Sequence, residues 1–300
     1  MDSLTGGEYG FLLLTSHLGD PERKPLTVAQ VRELFRRSEN MNRREESGEV
    51  EVNDFISMGY SHRFAQHVLD LLGDEILLRY YLGRAGKAGC VPITRASKNY
   101  PPILRKRLGL ESPGCLWARG DTQLLNTPMV SLVGSRDLLE DNRAFAAEVG
   151  RQAALQGYTL VSGNARGADR TAQNACLASG GKVISVVADA LASQPQRENI
   201  LYLSEDGFDE AFSAQRALSR NRIIHALGLK TFVAQCSLGT GGTWDGTVKN
   251  LQHGWSNVYC FRDGSEAAVQ LEQMGANLIN TEDLVQFDAL PESEYNIFDL

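Results

Sequence analysis

Four short segments of this chain combine the residue types that hold an oxyanion. They are Gly134-Ser135-Arg136, Ser162-Gly163-Asn164-Ala165-Arg166-Gly167, Ser219-Arg220-Asn221-Arg222 and Gly239-Thr240-Gly241-Gly242-Thr243. Glycine lets the backbone approach an anion closely. A helix N-terminus aims free N–H groups and a positive dipole end at it. Arginine adds a planar, bidentate donor that matches phosphate. The candidate phosphate contacts are Gly134, Ser135, Arg136, Ser162, Gly163, Asn164, Arg166, Gly167, Arg220, Asn221, Arg222, Gly241, Gly242 and Thr243. Each also has a plain structural reading. Gly134 fits a tight turn, Gly163 and Gly167 fit helix packing, and Arg220 and Arg222 fit solvated or ion-paired cations. Asp169 reads as a cap or an arginine partner before it reads as a catalytic acid. What distinguishes the four loops is recurrence, because they follow successive strands.

Several chemistries are not indicated. The chain lacks a Gly-Lys-Ser/Thr phosphate loop and a GxGxxG at the first turn, so neither NTP hydrolysis nor dinucleotide redox chemistry is signalled. No nucleophile–base pair stands out. The histidines His17, His62, His67, His225 and His253 are not in metal-ligand spacing. Only His225 is near a phosphate loop, and it reads as a helix-face residue. No catalytic residue, metal or cofactor is expected.

The loops need a frame that brings strand ends together. From Pro128 onward strands and helices alternate. Strands are expected at Val130–Val133, Tyr158–Val161, Lys182–Ala188, Lys230–Cys236, Asn257–Phe261 and Ala276–Ile279, with helices at Asn142–Gln156, Ala168–Ser179, Ser219–Leu227, Gly246–Gln252 and Ser265–Gln273. Near-continuous apolar strands alternating with helices predict an α/β fold, a doubly wound parallel sheet with both faces covered. Residues 1–85 read as short amphipathic helices. Tyr9–Leu18 stops at Gly19-Asp20-Pro21, Thr27 caps Val28–Arg37, and Val52–Met58, His62–Leu72 and Glu75–Leu82 follow, with a charged loop at Met41–Glu49. Such a bundle can bind a nucleic-acid backbone or a partner, although packing or dimerisation is the commoner use. From Gly83 onward Gly83, Gly86 and Gly89 and two proline turns break regular structure, so residues 86–127 read as a linker or extension packing on the sheet unit, with Leu116–Gly120 as an edge strand. The sheet unit covers 128–286, and 287–300 reads as an acidic tail.

The chain has 300 residues and a formal net charge of −7, which argues against indiscriminate coating of nucleic acid but not against a local basic groove. Five scattered cysteines without a CxxC pair, no basic-then-apolar leader and no apolar run of membrane-spanning length predict a reduced, cytoplasmic, non-membrane protein.

An ordered series of motifs resembles the DprA/Smf family of DNA-processing proteins. Ile93-Thr94 and Tyr100-Pro101-Pro102-Ile103-Leu104 look like its entry segment, and Gly120-Asp121 like its turn before the sheet. Val133-Gly134-Ser135-Arg136, Ser162 to Asp169, Ala175-Cys176-Leu177 through Gly180-Gly181, and Arg220-Asn221-Arg222-Ile223-Ile224 follow in family order. The likeness spans about Val52 to Leu284. It implies a Rossmann-like sheet preceded by a small helical, SAM-like domain. It also implies that the loops at Ser135-Arg136, Ser162–Gly167 and Arg220–Arg222 line a pocket for a DNA backbone. By the same resemblance the partners are single-stranded DNA, a RecA-type recombinase and a second copy of the chain. Departures cluster at the ligand edge. Asn164 replaces an apolar residue, Gln173 a histidine, and Ala217-Leu218 a Phe-Pro; the family's C-terminal winged helix is not expected.

Three readings compete. The first is a non-catalytic single-stranded-DNA binder, with Phe212 and Trp244 as candidate base-stacking residues. The second is a nucleotide sensor or phosphoribohydrolase of the same fold, encouraged by the glycines from 239 to 242 but weakened because Asp245 is out of register with the hydrolase glutamate. The third is an interaction module whose sheet edge binds nothing.

Overall fold

A computed structural model describes residues 4–39, 50–205 and 207–292. The expected charged loop at Met41–Glu49 and the end of the expected tail lie outside the described residues. The chain begins with five helices: α1 (Gly6–Thr15), α2 (Val28–Ser38), α3 (Val52–Ser57), α4 (His62–Gly73) and α5 (Glu75–Lys87). Thr5 with Glu8 and Thr27 with Gln30 form capping boxes that start α1 and α2. Arg23 is buried; it donates to the Leu13, Ser16 and Leu71 carbonyls and pairs with Asp74, so one side chain closes the ends of α1 and α4. Phe11, Leu14, Val31, Leu34, Phe55, Val68 and Leu71 make a small core of their own, while Leu12 and Leu13 turn to the sheet.

Next come β1 (Val91–Thr94), α6 (Pro102–Leu108) and β2 (Cys115–Arg119). The alternating part follows as β3 (Met129–Val133), α7 (Glu140–Leu155), β4 (Thr159–Ser162), α8 (Ala168–Ala178), β5 (Lys182–Val186), β6 (Ile200–Ser204), α9 (Ala214–Ser219), α10 (Asn221–Leu227), β7 (Lys230–Val233), α11 (Gly241–His253), β8 (Asn257–Phe261), α12 (Glu266–Gln273) and β9 (Asn277–Ile279). The strands form one sheet in the order β1-β2-β6-β5-β4-β3-β7-β8-β9. From β6 to β9 every pairing is parallel, and β1 and β2 add an antiparallel margin. This is the doubly wound α/β fold that the strand–helix alternation predicts. The chain steps outward from β3 through β6, then crosses back to β7 and winds the other way. The reversal between β3 and β7 is a topological switch point, where open α/β sheets offer a crevice.

The structure corrects several expectations. Leu116–Gly120 is not an edge strand, because β1 covers its outer side and Leu116, Trp117 and Ala118 are fully buried. Strands β1 and β6 were not anticipated; each is a four- or five-residue run set among polar turns, too short to show a period. Gly83 and Gly86 do not break structure, since α5 runs through both while Leu78, Tyr81 and Ala85 anchor its buried side. The helix expected at Ser219–Leu227 is two helices meeting at Arg220, and α11 begins at Gly241 instead of Gly246. The tail does not begin at Phe287. That ring is fully buried, 4.8 Å from Phe232 and 5.7 Å from Tyr158. No helix among the described residues is long and apolar enough to cross a membrane.

Two stability results are expected. Phe287→Ala empties a fully packed site and lowers the unfolding free energy by about 3–5 kcal/mol in urea titrations. His225 is fully buried between α10 and α11, and its Nδ1 accepts from Asn250 Nδ2 at 3.1 Å. Burial lowers its pKa from 6.5 to about 3. The unfolded chain therefore takes up a proton that the folded chain refuses. Stability is complete above pH 6.5 and falls by about 1.4 kcal/mol per pH unit below it. Urea midpoints between pH 7 and 5 check this, and His225→Gln should flatten the dependence.

Candidate anion pocket at the sheet's carboxyl edge

The loop after β3 carries Gly134, Ser135 and Arg136, and the loop after β4 carries Gly163 to Gly167. They are stitched together by Ala168 N–H donating to the Ser135 carbonyl at 3.1 Å. The loop after β7 joins them, since Ser135 N–H donates to the Gln235 carbonyl at 2.9 Å. Gly167 has φ +86°, and a Cβ there would strike the carbonyls of Ser135 and Arg136. Only glycine permits that approach of the two loops.

Asp169, in the first turn of α8, organises the second loop. Its Oδ2 accepts the N–H groups of Gly163 and Ala165, both at 3.1 Å. Between them Asn164 takes φ +61°, and its side chain donates to Gln194. Arg220 lies beside this turn at the junction of α9 and α10. It is buried, donates to the Val186 carbonyl at 2.9 Å, and keeps its Nε without a hydrogen-bond partner among the described residues. A Cβ on Gly163 would overlap the Arg220 guanidinium, so the bare glycine is the space the arginine occupies. Burial pushes the Asp169 carboxyl up, while Arg220 and the two N–H donors pull it back. Burial likewise lowers Arg220, opposed by Asp169 and Asp189.

Above this pair opens a cavity of about 520 Å³ at the switch point. Gly134, Ser135, Arg136, Arg220, Asn221 and Gly241 to Thr243 line it, with Phe212, Leu218, Cys236 and Thr240. A second hollow of about 370 Å³ adjoins it over Gly163, Asn164, Arg166, Asp189 and the shared Arg136, Phe212 and Arg220. Arg136 is exposed and makes no hydrogen bond or ion pair among the described residues. Arg166 pairs with Asp137 at 2.6 Å, but both side chains are over 70 % exposed, at 72 % and 84 %. Such a pair is worth little in water, so a ligand can take the arginine. The segment from Gly241 to Thr243 is not a plain loop but the first turn of the thirteen-residue α11. Its free N–H groups and dipole end therefore face the cavity. Asn221 donates to the Gly242 carbonyl at 3.0 Å and fixes that turn against α10.

Three of the expected contacts do not line the cavity or the adjoining hollow. Gly167 is buried where the two loops meet. Ser162 is fully buried beneath it, its hydroxyl accepting from Gln173 at 2.6 Å. Arg222 points away to form a bidentate pair with Glu205, 3.1 and 2.5 Å, and also donates to Ser219 and to the Glu111 carbonyl. Of the two candidate stacking rings, Phe212 is exposed on the rim, whereas Trp244 is partly buried against the core. Cys236 joins the lining without having been singled out as a contact; Thr240, inside the glycine segment, and Leu218, before Arg220, line it as well. Burial raises the Cys236 thiol to about 11, so it lines the wall as a neutral group. Asp245 is engaged with Lys249 at 2.9 Å.

Gly163→Ala should force the Arg220 guanidinium or the 163–165 turn to move. The expected cost is about 1–3 kcal/mol of stability by urea unfolding.

Residues 92–287 match the family model described as DNA recombination-mediator protein A. The chain is 30% identical over 198 residues to DNA processing protein DprA of Streptococcus pneumoniae, covering 62% of this chain and 68% of that one. It is 27% identical over 219 residues to the Bacillus subtilis DNA processing protein DprA, covering 67% and 71%. The solved structure of DNA processing protein A from S. pneumoniae superposes with a TM-score of 0.70 at 23% identity, covering 94% of this chain and 98% of that one. DNA processing protein A from Helicobacter pylori, solved to show its single-stranded DNA binding mode, matches with a TM-score of 0.55 at 23% identity, covering 65% and 94%. A family match that spans residues 92–287, well over half of the chain, shows that the chain belongs to the DNA recombination-mediator protein A family.

Proposed function

We propose that this protein holds single-stranded DNA by its phosphate backbone at the switch-point cavity and serves as a recombination mediator. The observation that carries this reading is the convergence on one cavity of an unpartnered exposed arginine, Arg136, a buried arginine with a free Nε, Arg220, and the N-terminal turn of α11. Arg136 makes no salt bridge among the described residues, Arg220 shares its charge with the buried Asp169 but keeps its Nε free, and the helix turn adds N–H donors, a set that suits a polyanion. In this reading Gly134, Ser135, Gly163, Asn164 and Gly167 shape the floor, Arg136 and Arg166 take phosphates, and Asn221 with Gly241, Gly242 and Thr243 completes the opposite wall. Phe212 offers a ring for stacking, a contact that every base can make. The single-stranded DNA bound by the H. pylori relative supports the ligand class. The family's description as a recombination mediator supports a hand-over of the strand to a RecA-type recombinase. Action as a homodimer belongs to the same reading, and sedimentation equilibrium at twice the chain mass tests it.

Binding of a labelled oligothymidylate, read by fluorescence anisotropy across a salt series, is the direct test. Log affinity should fall linearly with log salt, at a slope of about −0.7 per phosphate contacted. Arg136→Ala with Arg166→Ala should weaken binding at least tenfold and reduce the magnitude of that slope by about 1.4. A folded protein that binds no oligonucleotide at low salt would overturn the proposal.

A further inference from the structure

We infer that the same edge of the sheet carries a second, separate stretch of strand contact, built from the N-terminal helices and the loop after β1, about 24 Å from the cavity. This rests on the single-strand reading above. Because β2 runs antiparallel to β6, with Trp117 opposite Ser204, and β1 antiparallel to β2, with Thr94 opposite Cys115, the end of β1 lies at the same carboxyl edge as the cavity. Five strand spacings of about 4.8 Å separate β1 from β3 and give the distance.

The loop leaving β1 carries Arg95 and Lys98. Arg105, on α6, donates to the Arg95 carbonyl and brings a second guanidinium to this corner. Helix α2 packs beside the turn Gly109–Glu111 and adds Arg32 from its exposed face. Arg95 feels its neighbours: burial, then the charges of Arg105 and Arg32, lower it from the ordinary arginine value. Glu33 does not relieve the crowding, because Arg36 and Arg37 take its oxygens at 2.6 and 2.7 Å. Arg32 and Lys98 form no hydrogen bond or ion pair among the described residues. Glu8, whose carboxylate reaches Ser97 in the same loop, and Glu111 in the turn offset part of the charge of Arg32, Arg95, Lys98 and Arg105, and the positive excess that is left is what an anion can meet.

Apolar surface left in water links the two sites. Leu218 at the cavity rim, Leu110 in the turn and Phe35 beside Arg32 are 50%, 42% and 55% exposed. Arg222 spans the gap between Leu218 and Leu110, since it donates to both Ser219 and the Glu111 carbonyl. Cations alternating with exposed apolar and aromatic groups are the surface that a single strand uses, phosphates on one and bases on the other. A strand leaving the cavity past Leu218 would cross the first turn of α10 at Arg222 to Leu110 and reach Phe35 and the arginines.

Arg32→Glu with Lys98→Glu tests this, since neither side chain supports the fold; an unchanged melting temperature controls for it. Anisotropy is read on a short oligothymidylate of about six nucleotides and a long one of about 25. The expected result is an unchanged affinity for the short strand, a loss of about tenfold for the long one, and a salt slope for the long strand smaller in magnitude by about 1.4. Unchanged binding of the long strand overturns the inference. So does an equal loss on both, which is the mark of altered net charge. If the parent protein binds neither strand, the pocket reading falls and takes this one with it. If the long strand is weakened here but unaffected by Arg136→Ala with Arg166→Ala, the pocket reading falls and the second surface stands.

Discussion

Two opposite charges buried side by side, Asp169 and Arg220, set the shape of the carboxyl edge. Neither could be taken out of water alone, because an uncompensated buried ion costs several kcal/mol. Together they fix the rest. The carboxylate gathers the N–H groups of Gly163 and Ala165 and so turns Asn164 into its left-handed conformation. The guanidinium demands a residue without a side chain at Gly163 and pins the carboxyl end of β5 through Val186. The break between α9 and α10 falls at Arg220, so the helix pair bends where the charge must enter.

Around this rigid base the cavity has a softer outer layer. Arg136, Arg166 and Phe212 are exposed and held by few or no internal contacts, while Ser162 and Gln173 lie beneath, locked to each other. An inner layer that is fixed and an outer one that can move suits a ligand whose charge repeats while its shape varies. The acidic total charge is no obstacle, since the field that matters is the local one at the edge.

Most of the parallel sheet was legible because its strands are apolar without alternation and stand between helices of ordinary length. Three of the four segments were legible because glycine recurs after β3, β4 and β7; the fourth, Ser219–Arg222, follows no strand but is the junction of α9 and α10. What could not be read has physical reasons. Strand β6 is five residues of Ile, Leu, Tyr and Ser, which has no period of its own and is a strand only because β5 and β2 flank it. Arg222 carries the same motif letters as Arg220, yet it faces Glu205, and a pairing across 17 residues leaves no local trace. Gly241 and Gly242 look like a loop by propensity, but the packing of α11 on α10, with Asn221 donating to the Gly242 carbonyl, makes them helical. Phe287 reads as tail because its neighbours are polar; its ring is buried by Phe232 and Tyr158, far away in sequence.

The position of β2 governs how the chain must fold as well as what it presents. Trp117 is laid down early, yet its partner across the sheet, Ser204, is synthesised much later. Until then β2 has β1 on one side and an open row of backbone donors and acceptors on the other. Contacts of such long sequence separation raise the entropy of the folding barrier, which places this domain among slow folders compared with its own helical bundle. Helix α5 packs on Trp117 through Tyr81, and α1 joins the same core through Leu12 and Leu13, so one face of β2 is covered by residues that precede it in the chain.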